Sequence, residues 1–194
     1  FGKNFVTRNG TLEKPEMPKP RFNVINGGKH AGGELQIQEF MIAPLFDTFK
    51  ENYRAASETY HILGKLLVKK YGVSARNVGD EGGYAPNLDS AEEALDMLVQ
   101  AIEEAGYSGK IKLALDAAAN SFVVKKKVEP RTNPNEPNSK TEYYYNINNK
   151  SQTLKPPISQ DDLLDYYMDL LKAYKPLFSL EDPFDEGDWQ GFAA

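Results

Sequence analysis

The sequence of 194 residues contains no cysteine, only two histidines and a single tryptophan. Without cysteine the chain forms no disulfides, thiolate metal sites or cysteine nucleophiles, and its composition is compatible with a cytoplasmic location. No apolar stretch approaches the length of a membrane span, and the first residues look like neither a signal peptide nor a methionine start. Positive charge is also scarce, because 23 Lys and Arg residues face 28 Asp and Glu residues. The net charge of −5 argues against a nucleic-acid partner.

Acidic residues stand at the ends of two short apolar runs. Asp116 directly follows the run 112–115, and Glu181 directly follows the run 177–180. A carboxylate at the end of a buried strand is held by a stiff scaffold yet stays open to a ligand. The pattern therefore predicts a divalent-metal site, although a helix cap or a buried ion pair would also explain these two acids.

Two glycine-flanked loops carry further ionisable groups. His30 lies in the loop 27–33, which has the composition of a lid that closes over a ligand. Glu81 stands next to Gly82 and Gly83, so its backbone is suited to a close approach to a ligand. The alternatives are a surface histidine and an ordinary solvated turn.

Gln38 and Glu39 lie in a predicted strand beside these loops. Adjacent side chains of a strand point to opposite faces. At most one of the two is therefore expected to point into a pocket, unless the strand bends.

Apolar spacing predicts an alternation of strands and helices. Ser90 is predicted to form a capping box with Glu93 at the start of one helix. Alternating helices and buried strands predict a parallel sheet or barrel. Strands are predicted at 22–25, 35–42, 111–115 and 177–180, and the principal helices at 49–71, after Ser90, and at 159–174.

Proline-rich segments suggest the domain organisation. Residues 1–20 have the composition of a linker, and the domain is predicted to cover residues 21–194. The Pro- and Asn-rich stretch at 123–157 is predicted to be a surface insertion that contains a hairpin strand over 142–147.

Several motifs, in the same order along the chain, closely resemble enolase, the glycolytic phosphopyruvate hydratase. The resemblance covers the chain from about Pro18 onward and is weakest across 123–157. It rests on the segments FNVINGGKHAGG (22–33), QEFMIAP (38–44), NVGDEGGYAPN (77–87), LDAA (115–118) and SLEDPF (179–184).

The resemblance implies an α/β fold, the first half of an enolase-type TIM-like barrel that begins with two antiparallel strands and continues with β/α units. It implies the Mg²⁺-dependent, reversible dehydration of 2-phosphoglycerate to phosphoenolpyruvate. The enolase superfamily is a standard example of a Lys or His base that works with one or two Mg²⁺ ions.

The resemblance also implies roles for individual residues. Asp116 and Glu181 match ligands of the metal, and Glu81 matches the acid that assists departure of the hydroxyl group. The positions that match substrate contacts are His30, Gln38, Glu39 and Glu181.

Other parts of an enolase find no match in this chain. The resemblance places the base lysine and a third metal-binding aspartate on later strands, and it implies a homodimer. The chain alone is therefore expected to be inactive, with an open sheet edge and an exposed core face. The alternatives are a non-catalytic, enolase-like subunit of a larger assembly, or another superfamily enzyme that acts on a different carboxylate.

Overall fold

The computed structural model describes residues 17–31, 34–128, 140–147 and 156–194, so most of the predicted linker lies outside the described residues. Residues 17–20 have no regular secondary structure. The elements are β1 (Phe22–Asn26), β2 (Glu39–Pro44), α1 (Phe49–Tyr71), α2 (Ala91–Glu104), β3 (Ile111–Asp116), β4 (Val123–Val128), β5 (Lys140–Tyr145), β6 (Ile158–Ser159), α3 (Gln160–Ala173), β7 (Leu177–Glu181) and α4 (Trp189–Ala193).

Four strands form the main sheet, in the order β1-β2-β3-β7. The first two strands are antiparallel, as predicted, and β2 is also antiparallel to β3. Strands β3 and β7 are parallel, and the connection between them contains helix α3, as a crossover requires. Within the described residues this sheet is open, with β1 and β7 as its edges.

Helix α1 has the predicted bounds. It begins after Thr48, whose hydroxyl oxygen accepts a hydrogen bond from the Glu51 N–H at 3.2 Å. It ends at Gly72, which adopts a φ of 87° and donates its N–H to the Val68 carbonyl.

The capping box predicted at Ser90 is half right. The Ser90 hydroxyl accepts from the Glu93 N–H at 3.2 Å, but the Glu93 carboxylate accepts from the Asp89 N–H at 3.0 Å and not from Ser90. A complete capping box is present instead at the start of α3, between Ser159 and Asp162.

Strand β2 begins later than predicted. The expected strand 35–42 reflects the burial of Leu35 and Ile37, which are 3% and 1% exposed. These residues pack beside Gly27, where an added Cβ would lie 2.2 Å from the Ile37 carbonyl oxygen. The alternating burial of residues 35–37 comes from this contact with the loop and not from strand pairing. Regular pairing with β3 begins only at Glu39.

The helices cover one face of the main sheet. Side chains from β2 and β3 on this face join the main hydrophobic cluster with the helices. On the opposite face, Met41 and Ala114 are also buried, at 6% and 0% exposure, so the expected exposed core face is wrong for these residues. Arg21 reaches across this face and donates to the Ser179 hydroxyl at 2.9 Å. The helix-facing side chains of β2 and β3 are Phe40, Ile42, Ile111, Leu113 and Leu115.

The predicted insertion contains a second sheet, in the order β4-β5-β6. The hairpin strand predicted at 142–147 is observed as β5, which pairs antiparallel with β4. Residues 129–139 and 148–155 lie outside the described residues. The sheet is anchored to the chain after β7 by Tyr145, whose hydroxyl donates to Asp188 at 2.6 Å.

Candidate active site

Three carboxylates line up across neighbouring strands of the main sheet. Glu39 is in register with Asp116, and Asp116 is in register with Glu181. Neighbouring strands lie about 4.8 Å apart, and paired residues project from the same face. Glu39, Asp116 and Glu181 therefore form one row, called here the carboxylate row. Asn26 of β1 extends it, because Asn26 is in register with Glu39.

Two members of the carboxylate row, Asp116 and Glu39, have raised pKa values. Burial is the main cause that raises the pKa of Asp116, although its carboxylate accepts a hydrogen bond from the Ala118 N–H at 2.9 Å, which acts in the opposite direction. Burial, a hydrogen bond with Glu81 and repulsion from the neighbouring acids raise the pKa of Glu39 to about 8. Crowded carboxylates are costly when all are charged, so this row is suited to neutralisation by a proton or a cation.

Glu81 lies on a tight loop that is attached to β1. The loop, residues 79–84, is closed by a hydrogen bond of 2.8 Å from the Gly79 N–H to the Gly83 carbonyl. Its end joins β1 through two backbone bonds, from the Asn26 N–H to the Tyr84 carbonyl at 2.8 Å and from the Tyr84 N–H to the Val24 carbonyl at 2.9 Å. The loop therefore has a fixed base beside the carboxylate row.

Helix α1 supports this loop from the other side. The Tyr60 hydroxyl donates to the Gly82 carbonyl at 2.7 Å, and its ring stacks on Tyr84 with centroids 4.2 Å apart. Burial is the main cause that raises the pKa of Tyr60 to about 12, so the hydroxyl keeps its proton. On the sheet side, a Cβ on Gly83 would lie 2.0 Å from the Asn26 side-chain oxygen, so only glycine allows this approach.

The Glu81 side chain turns back toward the sheet. Its Oε2 accepts a hydrogen bond from the Asn23 side-chain amide at 3.0 Å, and the carboxyl group is hydrogen-bonded to Glu39. A residue on a loop is thereby brought to the carboxylate row, beside the strand residue Glu39.

Gln38 and Glu39 both reach the row. The Gln38 side-chain amide donates to the Asp116 carboxylate at 3.4 Å, and its backbone N–H donates to the Asp116 carbonyl at 3.1 Å. The chain bends at Ile37, and regular pairing begins only at Glu39, so strict alternation does not apply to Gln38. Because the chain bends here, Gln38 and Glu39 both point toward the row, as the sequence analysis allowed for a bent strand.

His30 lies in a short 3-10 helix, Gly28–His30, at the start of its loop. Its side chain and residues 32–33 lie outside the described residues. The base of the loop is held by a hydrogen bond from the Gly28 N–H to the Leu35 carbonyl at 2.9 Å. The predicted contact of His30 with substrate stays a prediction.

The row matches the chemistry of a magnesium site but does not complete one. Carboxylate oxygens are hard donors, as Mg²⁺ prefers, and Asp116 and Glu181 are paired on adjacent strands. Among the described residues no group of three or more His, Cys, Asp or Glu side chains is placed to hold a metal ion. Asp116 and Glu181 thus stand side by side at one end of the sheet, without a third described side chain that completes a metal-binding group.

Two features of the site were missed by the sequence reading. Asn23 and Asn26 lie in a strand with buried neighbours, and two polar residues in such a strand were the available signal. Backbone strain is also present, because Ala118 and Asp182 adopt φ values of 45° and 43° just after the ends of β3 and β7. Strain of this kind clusters at functional sites.

Comparison with known proteins identifies enolases, in agreement with the resemblance found in the sequence. Residues 14–194 match the family described as enolase, C-terminal TIM barrel domain. The chain is 47% identical over 180 residues to an enolase of Methanosarcina acetivorans, an alignment that covers 92% of this chain and 36% of that protein. It is 45% identical over 178 residues to an enolase of Methanocaldococcus jannaschii, covering 91% of this chain and 36% of that protein.

The chain thus spans about a third of the length of these curated relatives, from the 36% coverage of each. Within the described part of the chain, the helices are too short or too polar to cross a bilayer.

Proposed function

The chain belongs to the enolase family, and on that premise we propose that it supplies the first half of the catalytic barrel of an enzyme that reversibly dehydrates 2-phosphoglycerate to phosphoenolpyruvate. The proposal rests on one observation above all: Glu39, Asp116 and Glu181 are in register across three strands, and Glu81 is hydrogen-bonded to Glu39.

The reaction needs a proton donor for the departing hydroxyl group. Hydroxide is a poor leaving group, and a positioned acid that protonates it typically contributes a factor of about 10² to 10⁴. We infer this role for Glu81 because it projects from a held loop toward the row. Glu39 supports it, because two carboxyl groups in hydrogen-bond contact share a proton.

The reaction also needs positive charge where negative charge develops. Removal of a proton next to a carboxylate creates a second negative charge on the same group. Asp116 and Glu181 would hold Mg²⁺ at this end of the sheet, where the bound ion offsets that charge. His30, Gln38, Glu39 and Glu181 are proposed to contact the substrate around it.

The remaining groups are proposed to lie outside this chain. These are the base lysine and the third metal-binding aspartate, which the resemblance assigns to later strands. Lys112, Lys125 and Lys175 match no enolase motif and are not proposed as the base. The complete protein is further proposed to be a cytoplasmic homodimer with no nucleic-acid partner.

The test is the formation of phosphoenolpyruvate from 2-phosphoglycerate by the protein at its full natural length, with and without Mg²⁺. Activity is expected to require Mg²⁺ and to fall about 10² to 10⁴-fold in Glu81→Gln. Glu103→Gln is the matched control, because Glu103 is an exposed glutamate of helix α2, and it is expected to leave activity unchanged.

The intact mass of the natural protein should be measured alongside the assay. A chain much heavier than 21.7 kDa is expected. A mass near 21.7 kDa without activity would overturn the proposal and favour the non-catalytic subunit.

A further inference from the structure

Asn23, on β1, donates a side-chain hydrogen bond to the candidate acid Glu81. Its side-chain amide nitrogen lies 3.0 Å from Glu81 Oε2. Its side-chain oxygen is buried and has no hydrogen-bond partner among the described residues. Only the NH₂ group donates to a carboxylate, so the amide orientation is fixed by Glu81 itself.

A β-bulge places Asn23 on the correct face. Asn23 is in register with Met41, while Ile25 is in register with Phe40, so Val24 is an extra residue in β1. Because of this bulge, Asn23 lies on the same face as Asn26 although the two are three positions apart. Both therefore share the face of the carboxylate row.

The position of the Glu81 carboxylate depends on such contacts. Glu81 is exposed and lies on a loop, and a glutamate side chain has several rotamers that it loses when it is held. The backbone bonds and Tyr60 fix the loop, whereas the Glu81 side chain itself is held by its contacts with Asn23 and Glu39. A donor on a rigid strand restricts it.

We infer that Asn23 is a positioning residue, which holds the Glu81 carboxyl group in the orientation that delivers a proton to the departing hydroxyl group. The inference rests on the proposed function. Asn23 acts through Glu81 and is not proposed to touch the substrate, so its loss affects the departure of the hydroxyl group and spares the earlier removal of the C2 proton.

The test uses Asn23→Leu, which keeps a similar volume and removes the donor, in the full-length protein. At saturating 2-phosphoglycerate and Mg²⁺, kcat for phosphoenolpyruvate formation is expected to fall about 10 to 100-fold, because the Glu81 carboxyl group loses a hydrogen bond that orients it. KM is expected to stay within about twofold, because the residue makes no contact with the substrate.

The second readout is exchange of the C2 hydrogen of 2-phosphoglycerate with deuterium from D₂O, followed by NMR. This exchange needs removal and return of the C2 proton but no loss of hydroxide. It is expected to stay within about twofold in Asn23→Leu, whereas a general distortion of the site slows both processes together.

Three further variants complete the experiment. Asn23→Gln keeps the amide donor and is expected to recover part of kcat. Asn23→Leu added to Glu81→Gln is expected to lower kcat no further, since both act through the same group. Asn77→Leu, at an exposed asparagine before the same loop, is the control and is expected to behave as the wild type.

Equal losses in exchange and in elimination, or additive effects of Asn23→Leu and Glu81→Gln, would overturn the inference. So would an unchanged kcat in Asn23→Leu. Failure of the proposed function itself is distinguishable, because the wild-type protein would then form no phosphoenolpyruvate.

Discussion

At the residue scale, the clearest buried polar contacts lie around Tyr145. Its side chain is 0% exposed, and its hydroxyl donates to Asp188 at 2.6 Å while accepting from the Asp185 N–H at 3.0 Å. Burial and the bond to Asp188 raise the pKa of Tyr145. Asp185 and Asp188 are themselves 2% and 1% exposed, so these acids depend on hydrogen bonds for their solvation.

Tyr145→Phe is expected to lower the free energy of unfolding by about 1 to 3 kcal/mol, because a buried carboxylate loses a partner. Tyr144→Phe is the matched control on the neighbouring residue, whose hydroxyl donates to Glu142 at 3.0 Å and which is half-buried. Its expected cost is below about 0.5 kcal/mol. Denaturant unfolding of both variants measures the difference, and equal costs would contradict the account.

Individual site residues were predictable to different degrees. Asp116 and Glu181 were found because an acid at the end of an apolar run has a simple physical meaning, and the structure places them in register. Asn23 was missed because its orientation depends on a bulge at Val24, which local sequence does not encode. Glu81 was singled out by its glycines, but its hydrogen bond to Glu39 depends on the fold.

At the scale of elements, helix α1 and the Glu81 loop meet at Gly64. A Cβ on Gly64 would lie 2.4 Å from the Tyr84 hydroxyl oxygen and 2.7 Å from its ring. Tyr84 is 2% exposed, and its ring is stacked on Tyr60, so it has no room to move away. The glycine thus lets the helix approach the loop that carries Glu81.

Gly64→Ala is expected to destabilise the protein despite the better helix propensity of alanine. The propensity favours alanine by about 1 kcal/mol, but overpacking of a buried site costs about 1 to 3 kcal/mol and here also displaces the loop. Thermal unfolding is expected to show a lower midpoint, and Tyr84→Phe added to Gly64→Ala to restore part of it. A higher midpoint in Gly64→Ala would show that the helix and Tyr84 have room for a methyl group and would contradict this prediction.

Element boundaries were predictable where caps and periodicity agree. Helix α1 has the predicted bounds because Thr48 caps it and Gly72 ends it. Strand β2 was placed four residues early because Leu35 and Ile37 are buried by a loop contact, which has the same alternation as a strand. Periodicity reports burial, and it does not distinguish a strand from a loop packed with the same spacing.

At the scale of the whole molecule, the described main sheet is open. Strands β1 and β7 each pair with one neighbour in this sheet, and the outer edge of β1 is partly covered by its two backbone bonds to Tyr84, so β7 is the more open edge among the described residues. Apolar side chains are also exposed near β7, with Phe178 at 49% and Trp189 at 79%. The family fold, a TIM barrel domain, closes such a sheet with further strands.

The 194-residue chain expressed alone is therefore expected to be inactive and to associate through its open edges. Size-exclusion chromatography is expected to show oligomers or aggregates, and thermal unfolding to be broad, in contrast to the full-length protein. A monomer that unfolds cooperatively would contradict this expectation, and phosphoenolpyruvate formation by this chain would contradict the need for residues outside it.

The sequence predicted the fold class, but it did not predict how the second face of the main sheet is covered. Alternating helices and strands indicated a sheet or barrel, and the resemblance to enolase specified the two antiparallel first strands. The burial of Met41 and Ala114, on the face opposite the helices, was not predicted, and neither was the hydrogen bond between Arg21 and Ser179, which joins residues distant in sequence.

The central claim is that the carboxylate row holds a divalent cation. The most direct measurement is the anomalous scattering of Mn²⁺, a substitute for Mg²⁺, in crystals of the full-length protein. The account predicts an ion within direct coordination distance, about 2.1 Å for Mg²⁺, of carboxylate oxygens of both Asp116 and Glu181. An ion bound elsewhere, or none near these residues at millimolar Mn²⁺, would contradict it.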